Sequence, residues 1–286
     1  MHSRVNNQLT WLLISIYFIY SAVKIFTGGF SPIINIALNI GLLVSIAIFH
    51  GRAQFGFKKL AIFFAIVFVI SNAYENMSVM TGFPFGNYHH ADSLGPKLFL
   101  IPIIIAPTYF VVGYFSWCIA LILLDVFGNK LSGDRVWSVP IVASFVMTMW
   151  DLQIDSISST IDQGWFWHDG GSFFGVPFKN YMGWLLCTYS FFQVFALYLK
   201  NDSATEKNSQ IYSYKSHWYQ AISIYTILSL PIMILPLIKA DVLVTDMSGT
   251  QWSSMDMYES MALLTIFTMW FVVLLCYLKI RVTNHR

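Results

Sequence analysis

Apolar residues fill eight stretches of the chain that are each long enough to cross a lipid bilayer. A helix rises about 1.5 Å per residue, so the hydrocarbon core of a bilayer requires about 20 apolar residues. Turn-rich or charged stretches separate the runs, and none of them has the composition of a domain linker. The pattern predicts an all-α integral membrane protein, one domain over residues 1–286, with about eight transmembrane helices in a single bundle. The predicted spans are 9–27, 31–49, 60–80, 98–124, 137–161, 181–200, 218–238 and 258–279.

The composition agrees with this class of protein. Hydrophobic residues make up 57% of the chain and charged residues only 10%, against about 25% charged residues in soluble domains. The net charge of +2 and the lack of a long basic run argue against a nucleic-acid partner. The three cysteines lie in apolar runs, where they are typical small buried side chains and not a disulfide framework.

The loop lysines and arginines orient the predicted bundle. Four of the 16 basic residues fall on one side, namely Lys24, Lys97, Lys179 and Lys239, and the other twelve fall on the opposite side. Cytoplasmic loops carry the excess of lysine and arginine in membrane proteins. We therefore expect both termini to be cytoplasmic.

Two loops of nearly the same sequence follow predicted spans that carry carboxylates. The loops read GFPFGNY at 82–88 and GVPFKNY at 175–181, and the preceding spans hold Glu75, Asp151 and Asp155. A charge left in hydrocarbon costs at least a few kcal/mol. Both loops and all three acids fall on the same, non-cytoplasmic side, so we predict one composite site in the outer half of the bilayer and a reaction that requires protons.

The spacing of the polar residues assigns them to helix faces. Asn72, Glu75 and Asn76 are spaced i, i+3, i+4, and Asp151 and Asp155 are one turn apart. Lipid offers no hydrogen bonds, so these faces must meet protein or water. Because burial favours the protonated form of a carboxyl group, we predict Glu75 as a general acid and the aspartates as a water-orienting or base pair. Hydrogen bonding between helices is the structural alternative.

Aromatic residues are dense around these acids. Aromatic faces stabilise a cation within about 6 Å, although tryptophan and tyrosine also form belts at membrane interfaces. Trp150, next to Asp151, is the strongest individual candidate. We predict the following substrate contacts: Asn72, Asn76, Tyr88, Trp150, Trp165, Trp167, His168, Asn180 and Tyr181.

Metal and phosphate motifs are missing from the sequence. It contains no histidine spacing of the di-iron type, no phosphate-binding Gly-x-x-x-x-Gly-Lys loop and no Asp-Asp-x-x-Asp run. We therefore predict no metal and no cofactor. A mixed metal site across the two loops remains an open alternative, built from His89, His90, Asp92, His168 and Asp169.

The middle of the chain, residues 75–185, resembles the membrane-bound carotenoid biosynthesis family. This family includes the carotenoid 1,2-hydratases of the gamma-carotene 1'-hydroxylase and bisanhydrobacterioruberin hydratase types. The resembling residues are Glu75, TGFPFGNY at 81–88, LGP at 94–96, WDL at 150–152, Asp155, WFW at 165–167, GVP at 175–177, Asn180 and GW at 183–184.

The resemblance implies addition of water to the terminal C=C of an acyclic carotenoid that is dissolved in the lipid. Glu75 would protonate the alkene, Trp150 and its neighbours would stabilise the tertiary carbocation, and Asp151 or Asp155 would orient and deprotonate the water. It also implies the cytoplasmic membrane of a prokaryote, no redox cofactor, and other carotenoid biosynthesis enzymes as potential partners. Two alternatives remain open: a carotenoid or isoprenoid cyclase or isomerase that uses the same acid, and a proton-coupled small-molecule transporter.

Overall fold

Helices make up most of the computed structural model, which describes residues 2–127, 131–201 and 215–282. Three basic residues used for the orientation, Lys130, Lys207 and Arg286, lie outside the described residues. The helices are α1 (His2–Thr27), α2 (Pro32–Thr81), α3 (Ile105–Leu123), α4 (Arg135–Ser156), α5 (Phe178–Asn201), α6 (Lys215–Ile238), α7 (Ser254–Thr265) and α8 (Phe271–Val282).

Six helices in the described part of the chain are long and apolar enough to cross a membrane, where the sequence predicted eight spans. The predicted spans 31–49 and 60–80 form the single 50-residue helix α2. Helix α4, which covers most of the span 137–161, is not among the six because polar residues interrupt its apolar run. The structure thus supports a helical membrane protein but not the count of eight.

Helix α2 bends sharply at Gly56, the position between the two predicted spans. Gly56 has a φ of 77° and a ψ of 161°, a conformation that is essentially restricted to glycine. The side chain of Leu60 lies 2.6 Å from where a Cβ atom of Gly51 would be. Nine residues of straight helix would separate the two by about 13.5 Å, so the chain must fold back between them.

A pair of glycine substitutions in α2 tests this bend. We expect Gly56→Ala to destabilise the protein by roughly 1–3 kcal/mol, because alanine is strained in that conformation. Gly41→Ala, in a helical part of α2, should instead stabilise it by roughly 0.5–1 kcal/mol. A Cβ atom at either position meets no other atom within 4 Å, so steric contact does not differ between them. Thermal unfolding in detergent measures both effects, and shifts of the same sign would contradict the bend.

Helix α3 lies at the centre of the bundle. It packs against α2, α4, α6 and α8, and most of its residues are buried. The fourth predicted span, 98–124, is longer than this helix because its first residues form a hairpin of two short strands. Pro102 lies in this hairpin, and the helix begins after it, at Ile105.

Three short two-stranded antiparallel ladders join the loops, which the all-α prediction did not include. Strand β1 pairs with β4, β2 with β3, and β5 with β6. The strands are β1 (Tyr88–His90), β2 (Lys97–Leu98), β3 (Ile101–Pro102), β4 (Trp165–Trp167), β5 (Leu243–Thr245) and β6 (Gln251–Ser253). The β1–β4 ladder positions the site, because it connects the loop that follows α2 to the loop that follows α4.

Candidate active site

The two matched loops meet, as the sequence predicted. In the β1–β4 ladder Tyr88 pairs with Trp167 and His90 pairs with Trp165. A Cβ atom at Gly86 would lie 3.1 Å from the ring of Pro177, so the first loop packs closely on the second. The structure thus brings the two loops into contact, and their joint role in one functional site stays a prediction.

Equivalent positions of the two loops nevertheless make different contacts. Asn87 donates a hydrogen bond to Asp169 at 2.7 Å on the surface, whereas Asn180 is buried and contacts the α4 aspartates. The hydroxyl group of Tyr88 donates to Glu75, whereas the buried hydroxyl group of Tyr181 has no hydrogen-bond partner. The first loop thus contacts Glu75, and the second loop contacts Asp151 and Asp155.

Glu75 is buried, with 6% of its surface exposed, and two tyrosines hold its carboxyl group. Tyr109 donates from its hydroxyl group to Oε1 at 2.6 Å, and Tyr88 donates to Oε2. Burial raises the pKa of the Tyr88 phenol well above its usual value, so this hydroxyl keeps its proton. Nε2 of His90 lies 3.7 Å from Oε2, and neither ring nitrogen of His90 has a hydrogen-bond partner among the described residues.

Asp151 and Asp155 form the second acidic group and share one amide. The Nδ2 group of Asn180 donates to Oδ2 of Asp151 at 3.1 Å and to Oδ2 of Asp155 at 2.6 Å. An amide nitrogen carries two hydrogens, so it can serve both carboxyl groups at once. Asp155 also accepts a hydrogen bond from Nε1 of Trp165 at 2.7 Å.

A change in helix type directs the chain from the aspartates to Trp165. Residues Ile157–Ile161 form a π-helical turn directly after α4. The backbone N–H of Gly164 then donates to the carbonyl of Ser158 at 2.8 Å, which turns the chain back toward Asp155. Such π turns occur frequently at functional sites.

The two acidic groups line the same cavity, which has a volume of about 260 Å³. Aromatic rings, including Trp150 and Trp184, occupy much of the wall. Eight of the twelve predicted site residues line it: Glu75, Tyr88, Trp150, Asp151, Asp155, Trp165, Trp167 and Asn180.

The other four predicted residues do not line this cavity. Asn72 and Asn76 donate to backbone carbonyls one turn earlier in α2, and Asn76 also accepts from the backbone N–H of Leu100. His168 is exposed and contacts His89, with 3.0 Å between their ring nitrogens. Tyr181 packs edge-on against Phe173. Contact of these four with a substrate stays a prediction.

Sequence reasoning missed Tyr109 and a role for His90 at the acid. Tyr109 lies in an apolar run with no polar neighbour at helical spacing, so nothing in the pattern distinguishes it from a packing residue. Its ring stacks on Trp184 with centroids 4.7 Å apart. His90 lies two residues after Tyr88, and alternation along β1 places both side chains on the same buried face.

The histidines and acids of the alternative metal site do not assemble. Within residues 2–127, 131–201 and 215–282, no three His, Cys, Asp or Glu side chains are grouped closely enough to hold a metal ion. Asp92, for example, pairs with Lys97 at 2.8 Å, and this hydrogen bond lowers the pKa of the exposed Asp92 carboxyl below its usual value.

Removal of the Tyr109 hydroxyl tests its contact with Glu75. We expect Tyr109→Phe to lower activity roughly 10- to 100-fold, because a hydrogen bond to a charged group contributes about 1.5–3 kcal/mol. The phenylalanine ring can keep the stack on Trp184, so folding should be preserved. Tyr74→Phe is the matched control, since the Tyr74 hydroxyl bonds to Ser190 away from the cavity. Activity is measured as conversion of the carotenoid that the family resemblance implies, per amount of membrane protein, and equal effects of both variants would contradict the assignment.

Comparison with known proteins identifies the family. A family model described as "Carotenoid biosynthesis protein" matches residues 33–247. A bisanhydrobacterioruberin hydratase of Haloarcula japonica is 30% identical over 113 residues, which cover 39% of this chain and 36% of that protein. The alignment thus spans about a third of the relative's length, and no solved structure matches the chain. The family match extends over most of the sequence and shows that the chain belongs to the carotenoid biosynthesis protein family.

Proposed function

We propose that this membrane protein is a carotenoid hydratase, which adds water to the terminal C=C of an acyclic carotenoid end. Membership in the family supports an enzyme that modifies a carotenoid. The relative named as a hydratase supports the type of reaction. The observation that carries the proposal is the cavity itself: a buried carboxyl group and a buried pair of carboxyl groups line one aromatic chamber.

The first step is protonation of the alkene by Glu75. Its carboxyl O–H bond breaks, the proton forms a C–H bond at the less substituted alkene carbon, and the π electrons of the double bond are consumed. The other alkene carbon becomes a tertiary cation. Tyr88 and Tyr109 donate hydrogen bonds to the carboxylate that remains, and donors placed where charge develops lower the barrier.

The second step is capture of the cation by water. The ring faces of Trp150 and Trp165 stabilise the cation until a water oxygen forms the C–O bond. Asp155 takes the proton that the water releases, and Asn180 and Trp165 hold its carboxyl group in place. Return of this proton from Asp155 to Glu75 completes the cycle, so the net change is alkene plus water to tertiary alcohol, with no change of oxidation state.

Asn180 gives the aspartate pair a defined arrangement of protons. Two carboxylates that share a buried site repel, so the pair favours retention of one proton. Asp155 accepts two hydrogen bonds and Asp151 accepts only one from the same amide. Asp155 accepts more hydrogen bonds and is therefore the carboxylate of the pair and the base, and Asp151 holds the proton.

The membrane arrangement that we propose has eight crossings. Helix α2 would cross twice, because it folds back at Gly56, and α4 would cross with its polar face turned to the cavity. Both termini would then be cytoplasmic, and the site would lie in the outer half of a prokaryotic cytoplasmic membrane. Residues 1–286 would form one domain with its catalytic core at 75–185. Cooperation with other carotenoid biosynthesis enzymes stays a prediction.

Expression in a bacterial host that accumulates lycopene tests the proposed reaction. Mass spectrometry measures the molecular masses of the extracted pigments, and we expect a product that exceeds the mass of lycopene by that of one water molecule. A product heavier by one oxygen atom would contradict hydration and indicate an oxygenase. A product of unchanged mass would indicate the cyclase or isomerase, in which a neighbouring double bond or loss of a proton quenches the same cation.

A further inference from the structure

A second cavity of about 470 Å³ adjoins the site cavity. The two cavities have five lining residues in common, so these side chains form the partition between them. The shared residues are Asn39, Thr108, Trp150, Ile154 and Ser158.

Polar groups form more than half of this partition. Asn39 comes from α2, Thr108 from α3 and Ser158 from the π turn after α4. The Asn39 side chain accepts a hydrogen bond from the hydroxyl group of Tyr17 at 3.1 Å, and Thr108 donates to the carbonyl of Ile104 at 3.0 Å. Oxygen lone pairs remain at all three positions and amide hydrogens at Asn39, and inside a membrane such groups require protein or water partners.

Charged side chains mark the other end of the second cavity. Lys24 from the last turn of α1, Asp162 after the π turn and Lys239 after α6 line it, and all three are exposed. The carboxyl group of Asp162 lies within electrostatic reach of both Lys24 and Lys239. Charged groups at helix ends extend into the hydrated headgroup region, so the cavity opens toward water.

We propose that the second cavity is the route by which water reaches the reacting carbon. The inference rests on the proposed hydratase function and explains how the enzyme favours hydration. The carboxyl groups of the site are nearly inaccessible from outside, because Glu75, Asp151 and Asp155 each have 6% or less of their surface exposed. A water molecule must nevertheless be consumed in every turnover.

The polar groups at the mouth and at the partition fit water better than the apolar chain of a carotenoid, although apolar side chains such as Val111, Ile232 and Leu235 line most of the remaining wall. A polyene would have to pass two lysines and an aspartate and then lie against three polar groups, each of which it would desolvate without offering a hydrogen bond. Water can hydrogen bond at the mouth and at the partition. The supply of water also decides the product, since a cation that meets no water loses a proton or is attacked by a neighbouring double bond.

Substitutions in the partition test the route in the lycopene-accumulating host. Thr108→Val removes a hydroxyl group at constant shape, and Ser158→Leu fills the passage. Thr226→Val is the matched control, because Thr226 in α6 makes the same bond to the carbonyl four residues earlier but lines neither cavity. The readout is the hydrated fraction of all converted pigment, and we expect it to fall roughly 5-fold in both partition variants, the effect of about one lost hydrogen bond.

Each other outcome decides against the route. An unchanged hydrated fraction in both partition variants, with total conversion preserved, would show that water arrives elsewhere. Loss of all conversion in both variants, with normal amounts of folded protein, would assign the cavity to the carotenoid chain. A wild-type protein that yields no hydrated pigment would contradict the proposed function itself, before any variant is compared.

Discussion

Glu75→Gln is expected to lower the formation of hydrated pigment by at least about 100-fold, because general acids contribute roughly 10²- to 10⁴-fold to rates. Glutamine has the same shape as glutamate, and its carbonyl oxygen can still accept a hydrogen bond from Tyr88 or Tyr109. It has no acidic proton to give to an alkene. Mass spectrometry of the extracted pigments measures the loss.

Glu259→Gln is the matched control for this variant, since Glu259 is exposed on α7. It should retain wild-type conversion. This result would show that replacing a carboxyl group on a membrane helix with an amide does not by itself lower activity. A Glu75→Gln protein that keeps more than about a tenth of the wild-type activity would exclude Glu75 as the acid. The protonated member of the aspartate pair, Asp151, would then be the next candidate.

Asp155→Asn is the second change with a large expected effect, again at least about 100-fold on the hydrated product. Asparagine can keep the hydrogen bond from Trp165 through its oxygen, but it cannot take up the proton that the water releases. Asp151→Asn should lower the hydrated product less, because Asp151 accepts a single hydrogen bond within the described residues, the one from Asn180. If Asp151→Asn lowered the hydrated product more than Asp155→Asn, Asp151 would be the base and Asp155 would hold the proton.

Asp256→Asn is the control for the aspartate variants, because Asp256 is exposed in the first turn of α7. Conversion by this variant should equal that of the wild type. If Asp155→Asn still consumes lycopene but releases an isomer of unchanged mass, the cation forms and water capture alone has failed. That outcome would support Glu75 as the acid and Asp155 as the base in one experiment.

The three acids that the sequence singled out line one cavity, and the sequence could single them out because charges in apolar helices are rare. A charge in hydrocarbon is energetically costly, which is why the sequence drew attention to Glu75, Asp151 and Asp155. The repeated loop sequence after both spans then suggested that the three acids belong together. Tyr109 had no such signal, since a tyrosine in an apolar run resembles any other packing residue. His90 carried a signal that was interpreted as metal binding, because the alternation of β1 was not recognised.

The helix count was less predictable from the sequence for two local reasons. Gly56 looks like an ordinary loop glycine between two apolar runs, and only its backbone conformation shows that α2 bends there without an intervening loop. In α4, the polar residues that form the site also lower the apolar character by which a span is recognised. Function and membrane insertion make opposite demands on the same helix.

The β1–β4 ladder has a mechanical consequence for an enzyme that works inside a fluid bilayer. Tyr88 binds Glu75, the proposed acid, from one strand, and Trp165 binds Asp155, the proposed base, from the other. The separation of Tyr88 and Trp165 is therefore set by the backbone hydrogen bonds of a short clamp, in addition to the packing of α2 and α4 on α3. Membrane helices tilt when the bilayer thickens or thins, and the clamp keeps acid and base in register while the helices below them move.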